Sequence, residues 1–228
     1  MSCIKGLAVR HKREIALGAA ILVIVSLAYL FGWTNIFTVQ KISVAGSPNA
    51  QITKQVLQIA DIKKGEKLAR IEPRAISANL SLAGIDWIER VQISRNWISR
   101  AVTINLSARD AIAISGEKYV DAKGVLFTSP VQISKKLAEI SAKDQSARSA
   151  AVDFYLSLPV EMQAKTSRIL ATSAKNFQLT LDEKLRINWG DAANNSLKVK
   201  IYRALIALPE NKKIREMDVS DPSKPTVK

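Results

Sequence analysis

The chain has 228 residues, a formal net charge of +14 and a hydrophobic content of 47%. This apolar fraction excludes an intrinsically disordered chain, and the length suits one or two domains. The only His and the only Cys, His11 and Cys3, both precede the longest apolar run. The sequence beyond that run therefore has no disulfides, no His- or thiol-based catalysis and no ordinary zinc ligand set.

The uncharged run from Ile15 to Trp33 predicts a transmembrane helix. A helix over these residues would be about 28 Å long, close to the ~30 Å hydrocarbon core of a bilayer. The preceding segment carries four basic residues against one acidic residue, so the positive-inside rule places the N-terminus in the cytoplasm. A cleaved secretory signal, with a small-x-small site at residues 26–28, is the alternative.

These observations predict a single-pass type II membrane protein with a cytoplasmic tail over 1–14, a transmembrane helix over 15–33 and an extracytoplasmic remainder. The residues expected to contact membrane lipid include Ile15, Leu22, Phe31 and Trp33.

Five elements are predicted next along the chain. Apolar periodicity and turn residues indicate a strand over 38–46, helices over 51–60 and 73–83, and strands over 87–95 and 100–108. The order β-α-α-β-β in about 70 residues is sufficient for a small core with two helices on one face of a three-stranded sheet.

The remaining residues predict a second, β-rich domain with flanking helices. Asp121-Ala-Lys-Gly124 has the residues of a type I turn, and a helix over 146–158 ends before Pro159. Strands are expected over 169–174, 177–181, 185–189 and 214–220, the last of them at or near a sheet edge. A helix capped by Asn194 or Asn195 is expected to carry Leu197, Ile201, Leu205 and Leu208 on one stripe, and Pro209 ends it. The fold class is α+β, with a mixed sheet in the second domain.

Two patterns in the sequence could support catalysis. Ser115 and Lys118 have a Ser-x-x-Lys spacing, but their context reads as one strand, which would put them on opposite faces about 10 Å apart. Two carboxylate pairs, Asp86/Glu89 and Asp182/Glu183, lie in polar, turn-like stretches, where solvated charge is expected. No Gly-rich phosphate loop or metal loop occurs, so we predict neither an enzyme nor a cofactor.

Several segments in this order are similar to the bacterial cell division family FtsQ/DivIB. They are VQKISVAGS at 39–47, IDWI at 85–88, VQISRNW at 91–97, YVDAKGVLF at 119–127 and the stretch over 214–227. The resemblance implies a POTRA domain over 34–108 and the family's β domain over 109–228.

The resemblance also implies a function. Such a protein would be a scaffold of the divisome at the division septum, which binds partners by adding a strand to its C-terminal sheet edge. The implied partners are FtsB/DivIC and FtsL and, in the same complex, FtsW and FtsI, with no nucleic acid and no small-molecule substrate. The implied partner-binding residues are Tyr202, Leu205, Met217, Val219, Asp221, Ser223, Thr226 and Val227.

Three other classes stay open at this point. A POTRA domain can precede an outer-membrane barrel, but only about 120 residues follow it here. A membrane-anchored cell-wall hydrolase would use two carboxylates. A basic module for lipid or wall polymer would use the excess of 30 Lys and Arg over 19 Asp and Glu beyond the apolar run.

Overall fold

The structure is a computed structural model that describes residues 16–26, 28–29 and 37–228. Residues 16–26 and 28–29 are helical and exposed to solvent, and Leu22 is among them. The other predicted anchor residues, Ile15, Phe31 and Trp33, lie outside the described residues. In the described part of the chain, no helix combines the length and the apolar character needed to cross a membrane.

The chain divides into two compact units, Met1–Ser107 and Ala108–Lys228. Unit 1 contains the elements that follow the N-terminal helical residues: β1 (Lys41–Ala45), α1 (Ala50–Ala60), α2 (Pro73–Leu82), β2 (Ile88–Asn96) and β3 (Ala101–Ala108), the last of which ends at the boundary. Its sheet has the order β1-β3-β2, with β1 parallel to β3. The predicted β-α-α-β-β order is therefore confirmed.

Local chemistry explains where the elements of unit 1 begin and end. The Asn49 side chain accepts a hydrogen bond from the Ile52 backbone N–H at 2.9 Å and so caps α1, while Pro73 occupies the first turn of α2. After β1 the chain turns at Gly46, with φ +78°, where an added Cβ would lie 2.1 Å from the Leu106 carbonyl oxygen. Only glycine fits this close approach between β1 and β3.

The core of unit 1 lies between the helices and one face of the sheet. Along β3 the inward residues alternate as expected, and Val102, Ile104 and Leu106 are buried. The helices contribute Val56 and Leu80, which are also buried. The other face of β2 carries exposed polar residues, so this unit has one dry and one solvated sheet face.

Unit 2 contains one mixed sheet of nine strands in the order β12-β11-β10-β9-β8-β7-β4-β5-β6. The strands are β4 (Ala113–Ser115), β5 (Lys118–Val120), β6 (Leu126–Phe127), β7 (Ala138–Ala142), β8 (Thr166–Ser173), β9 (Asn176–Leu181), β10 (Leu185–Gly190), β11 (Glu216–Asp218) and β12 (Thr226–Val227). The helices are α3 (Gln145–Ser157), α4 (Val160–Lys165) and α5 (Asn195–Ala207). The β4/β7, β7/β8 and β10/β11 pairs are parallel.

The helices of unit 2 pack on one face of this sheet. Phe154 of α3 stacks on Phe177 of β9 with ring centroids 4.7 Å apart, and it also contacts Trp189 of β10. Val199 and Tyr202 of α5 belong to the same core. The predicted turn at Asp121 is confirmed, since its side chain accepts hydrogen bonds from the backbone N–H groups of Lys123 and Val125.

The helix α5 is confirmed with Asn194 as its N-cap residue, but the Asn194 side chain does not cap it, and of the predicted stripe only Ile201 and Leu205 pack against the core. Asn194 adopts a left-handed conformation, with φ 55°, and its side chain makes no cap hydrogen bond. The Asn195 side chain instead accepts from Trp189 Nε1 at 2.9 Å. The face turned inward carries Lys198, Val199 and Tyr202, whereas Leu197 is 48% exposed.

A buried lysine helps to explain why α5 turns this face inward. Lys198 is 1% exposed, and its Nζ donates to the backbone oxygens of Trp189 and Asp191 and to Asp191 Oδ1, each at 3.0 Å. A charged group can be buried when its hydrogen bonds are satisfied in this way. A hydrophobic count along the helix cannot anticipate it.

Two further expectations need correction. Ser115 and Lys118 are not on one strand: Gly116 and Glu117 form a two-residue turn, and the two residues face each other across the β4/β5 hairpin. The final strand predicted over 214–220 shrinks to β11, and it is not the last, because β12 follows and pairs with it.

Candidate functional site

One end of the nine-stranded sheet, at β12, is an edge that a partner strand could use, and β6 forms the other end. β12 runs antiparallel to β11, with Met217 opposite Val227 and Asp218 opposite Thr226. The Lys228 N–H donates to the Glu216 carbonyl at 2.9 Å, and the Glu216 N–H donates to the Lys228 carbonyl at 3.1 Å. The pairing therefore continues one residue beyond the strand itself.

This pattern decides which backbone groups of β12 face outward. Glu216 and Lys228 exchange both hydrogen bonds, so the neighbouring pair, Met217 and Val227, is of the non-hydrogen-bonded kind. The N–H and C=O of Val227 consequently point away from β11, to the open side of the sheet. By the same alternation the carbonyl of Pro225 points outward, while its nitrogen carries no hydrogen.

A hydrogen-bonded turn brings the chain back from β11 to β12. Asp221 Oδ1 accepts from the backbone N–H and the hydroxyl of Ser223, and the Lys224 N–H donates to the Asp221 carbonyl. The hydrogen bonds from Ser223 lower the pKa of the Asp221 carboxyl. Both residues are exposed, so they stabilise the turn while their outer surface stays available to a partner.

A second carboxylate fastens the end of β11. Asp218 Oδ1 accepts from the Ser220 backbone N–H and hydroxyl, and Oδ2 accepts from Asn188 Nδ2 at 2.7 Å. Partial burial raises the pKa of Asp218, but the hydrogen bonds from Ser220 and Asn188 outweigh it, so the pKa is lowered. The ionised form of Asp218 thus holds β11 to β10 and to the turn that follows.

The eight residues proposed from the sequence fall into two groups. Met217 and Val219 are 2% and 0% exposed, and with Tyr202 they form part of the core under the edge. Burial raises the pKa of the Tyr202 hydroxyl, and the negative charge of Asp182 adds to the rise.

The other five residues are accessible at least in part. Leu205 and Val227 are half-buried and pack against the core, whereas Thr226 is exposed together with Asp221 and Ser223. The structure thus brings Val227 and Met217 together as cross-strand neighbours. Of the eight, Val227 offers outward backbone groups, and the buried ones support it from below.

The solvated face of the sheet beside this edge is polar and was not anticipated. Its side chains line a shallow pocket with β12, and Arg186 of β10 forms an ion pair with Glu216 of β11. The pocket is lined by Gln178, Arg186, Asn188, Glu216, Met217, Asp218, Thr226, Val227 and Lys228. The alternation of polar residues in the predicted strands would have been sufficient to find most of them.

A basic pocket lies at the N-terminal end of β11. It is lined by Glu183, Lys184, Lys212, Lys213, Ile214 and Arg215. The backbone N–H of Arg215 donates to the Lys228 carbonyl, so the last residue of the β12 pairing adjoins this pocket. Its charge favours acidic groups on anything that approaches this end of the edge.

Among residues 16–26, 28–29 and 37–228, no group of three or more His, Cys, Asp or Glu side chains could hold a metal ion. Asp182 and Glu183 lie with Lys184 in the exposed three-residue connection between β9 and β10, and both have positive φ. Ser115 and Lys118 lie opposite each other in a hairpin, with Lys118 exposed.

A POTRA-type domain followed by a β-rich domain defines a known class of two-domain bacterial proteins. Comparison with known sequences places both units of this chain in that class. Residues 37–109 match the family model described as POTRA domain, FtsQ-type. Residues 108–220 match the model described as cell division protein FtsQ/DivIB, C-terminal. The chain belongs to the FtsQ/DivIB family of cell division proteins.

Curated relatives carry the same name. The chain is 26% identical to the cell division protein FtsQ of Mycolicibacterium smegmatis over 214 residues, which cover 90% of this chain and 61% of that protein. It is also 26% identical to FtsQ of Mycobacteroides abscessus, over 91% of this chain and 66% of that protein. FtsQ of Corynebacterium glutamicum is 23% identical, over 96% of this chain and 100% of that protein. The chain thus spans less than two thirds of the length of the two mycobacterial relatives.

Proposed function

We propose that this protein is a non-enzymatic, membrane-anchored scaffold of cell division that gathers partner proteins at the septum. Residues 15–33 would anchor it in the cytoplasmic membrane, with both units on the outer side. The partners would be proteins of the FtsB/DivIC and FtsL types and, through them, FtsW and FtsI. Membership of the FtsQ/DivIB family supports this proposal.

Capture of a partner would occur by strand addition at β12. The observation that carries this mechanism is the outward N–H and C=O of Val227 at the end of a nine-stranded sheet. An added strand would accept a hydrogen bond from Val227 and donate to the Val227 and Pro225 carbonyls. Each such bond contributes about 1 kcal/mol net, so side-chain contacts must supply the remaining affinity.

The surroundings of β12 indicate which side chains the added strand would carry. On one face of the sheet lie the polar groups around Arg186 and Glu216, and on the other lie the half-buried Leu205, Ile214 and Val227. A partner strand with alternating polar and apolar residues would match both faces. Acidic residues at the end nearest Lys212 and Arg215 would complement the basic pocket.

A proline at position 227 tests the mechanism with little disturbance of the fold. Because the Val227 N–H faces outward, Val227→Pro removes the donor offered to a partner and keeps the β11/β12 hydrogen bonds. We expect the full chain in nanodiscs to bind the purified exterior part of the FtsB/DivIC-type protein of the same organism about tenfold more weakly, as measured by biolayer interferometry.

Two variants make this result interpretable. Val227→Ala keeps the N–H and shortens the side chain, so it is expected to bind within a few-fold of the unmodified chain. Thr226→Pro removes a backbone N–H donor that faces β11 and is expected to lower the unfolding temperature of unit 2 as well. If Val227→Pro binds as well as Val227→Ala and is folded, strand addition at β12 is wrong.

A further inference from the structure

Residues 37–41, which lead from the N-terminal part of the chain into β1, contact two turns at one end of the sheet of unit 1. The backbone N–H groups of Gln40 and Lys41 donate to the Arg100 carbonyl at 2.8 and 3.4 Å. The ring of Phe37 meets the ring of Trp97 edge-on, with centroids 5.8 Å apart. The incoming segment is thus fixed to the turn between β2 and β3, residues 97–100.

A second turn flanks the same segment. The Val39 N–H donates to the Glu66 carbonyl, and the Gly65 N–H donates to the Val39 carbonyl, each at 2.8 Å. The Leu68 N–H donates to the Phe37 carbonyl at 2.9 Å. Residues 63–68 and 97–100 therefore lie on two sides of the point where the chain reaches unit 1.

The β2/β3 turn presents a large apolar side chain to solvent. Ile98 is 98% exposed. It is held in that position, because the Asn96 side chain accepts hydrogen bonds from the backbone N–H groups of Ile98 and Ser99 at 3.0 and 2.9 Å. The guanidinium of Arg95 lies 5.8 Å from the centre of the Trp97 ring, which braces the tryptophan beside it.

The same two turns and the start of β1 are rich in cations. They carry Lys41, Lys63, Lys64, Lys67 and Arg100, against Glu66 within the turn 63–68 and Asp61 just before it, whose carboxylate lies 3.8 Å from Lys63 Nζ. A surface that combines an exposed isoleucine, a tryptophan and clustered basic residues matches the chemistry of an anionic membrane surface, where apolar and aromatic groups enter the interface and cations meet phosphates.

Chain length brings this surface close to the bilayer if residues 15–33 form the proposed anchor. Residues 34–36 separate Trp33 from Phe37, and fully extended chain covers at most about 14 Å over these four steps. Phe37 contacts Trp97, so the turn that carries Ile98 stays within reach of the lipid headgroups.

We propose that the turn 97–100 of unit 1 inserts Ile98 into the interface of an anionic membrane, with the turn 63–68 placing its lysines on the headgroups. This inference rests on the anchor in the proposed function. It makes unit 1 a membrane-resting domain whose orientation is set at two points, the anchor and the Ile98 turn. A protein partner on this turn is the competing outcome.

A fluorescent label at position 98 tests the proposal in the full chain. Cys3→Ser removes the native thiol, and Ile98→Cys is labelled with an environment-sensitive nitrobenzoxadiazole dye after reconstitution into nanodiscs that contain phosphatidylglycerol. We expect a blue-shifted emission with about a twofold gain in intensity, and quenching by lipids that carry a nitroxide near the headgroup.

Leu82→Cys is the matched control. Leu82 is also an exposed apolar residue, 85% exposed, but it ends α2 shortly before the start of β2. The nine residues of β2 place that start about 26 Å from the 97–100 turn. The Leu82→Cys label is expected to emit as in water and to resist quenching by the nitroxide lipids.

The outcomes separate this inference from the proposed function. Resistance of the chain to carbonate extraction reports the anchor, and binding of the FtsB/DivIC-type protein reports the β12 edge. If both hold and the label at position 98 emits as in water, the lipid contact is wrong and the scaffold stands. If the label shifts only after a protein partner is added, the turn is a protein docking site and the lipid contact is wrong as well.

Discussion

The two units of this protein leave their sheet edges in different states. In unit 1 one of the two edge strands, β2, is nine residues long, and it carries the exposed Arg90. In unit 2 both edge strands, β6 and β12, have two residues, and in β12 the outward backbone groups belong to Val227. Charged side chains on a long edge strand oppose pairing with strands of other chains, whereas a short edge strand with an apolar residue can accept a partner strand. Edge length alone therefore does not identify the binding edge.

The largest expected effect on stability comes from the buried lysine at the end of β10 in unit 2. Lys198→Met keeps the volume but leaves the buried carbonyl of Trp189 without its donor, along with the carbonyl of Asp191. We expect unit 2 to lose about 3 kcal/mol of unfolding free energy. Denaturant unfolding followed by circular dichroism, compared with the unmodified chain, measures this loss.

The control for this variant is a lysine on the same helix. Lys200 is exposed, and Lys200→Met is expected to change the unfolding free energy by less than about 0.5 kcal/mol. Equal unfolding free energies for the two variants would show that the hydrogen bonds of Lys198 do not stabilise unit 2.

An intermediate loss of unfolding free energy is expected when the pH is lowered. Because the folded pKa of Asp218 is lowered, its contribution to stability is present above the unfolded pKa of ~3.9 and is lost as the pH falls through the lower folded value. Asp218→Asn is expected to cost about 1 kcal/mol at neutral pH, since the side chain is only partly buried.

Unfolding of the two proteins across the acid range measures this dependence. The stability difference between the unmodified chain and Asp218→Asn should narrow as the solution is acidified, because protonated Asp218 loses its charge-assisted hydrogen bonds. A difference that stays constant down to pH values below the unfolded pKa would contradict the role assigned to the carboxylate.

The smallest effect on stability is expected at the guarded edge. Arg90→Val on β2 should change the unfolding free energy by less than about 0.5 kcal/mol, but it removes a charge that opposes edge-to-edge pairing. We expect concentration-dependent association of the detergent-solubilised chain, measured by sedimentation velocity. Arg74→Val makes the same charge change on the exposed face of α2 and should leave the chain unassociated.

Much of unit 1 could be predicted because its local signals agree with one another. Asn49 and Pro73 mark the beginnings of two helices, and the alternation of Val102, Ile104 and Leu106 marks a half-buried strand. Each residue type performs the role that its chemistry favours, so periodicity alone recovers the order of elements.

Unit 2 was predicted less completely, and each miss has a physical reason. The buried face of α5 depends on three acceptors that converge on Lys198, which are distant enough in the chain to leave no pattern. β12 has two residues next to Pro225, too few to show an alternation. For the candidate site, the sequence proposed Val227 together with Met217 and Val219, which are buried, because a strand pattern does not say which of its faces the helices cover.

Pro225 affects the register in which a partner strand could pair with β12. With no hydrogen on its nitrogen, the outer rim over residues 225–227 offers acceptors at two positions and a donor at one. Such an asymmetric pattern fixes the frame of an incoming peptide: a slip of one position would turn its apolar side chains toward Arg186 and its polar ones toward Leu205. The protein would then distinguish similar peptides by the register in which they pair with β12, and not only by the fit of individual side chains.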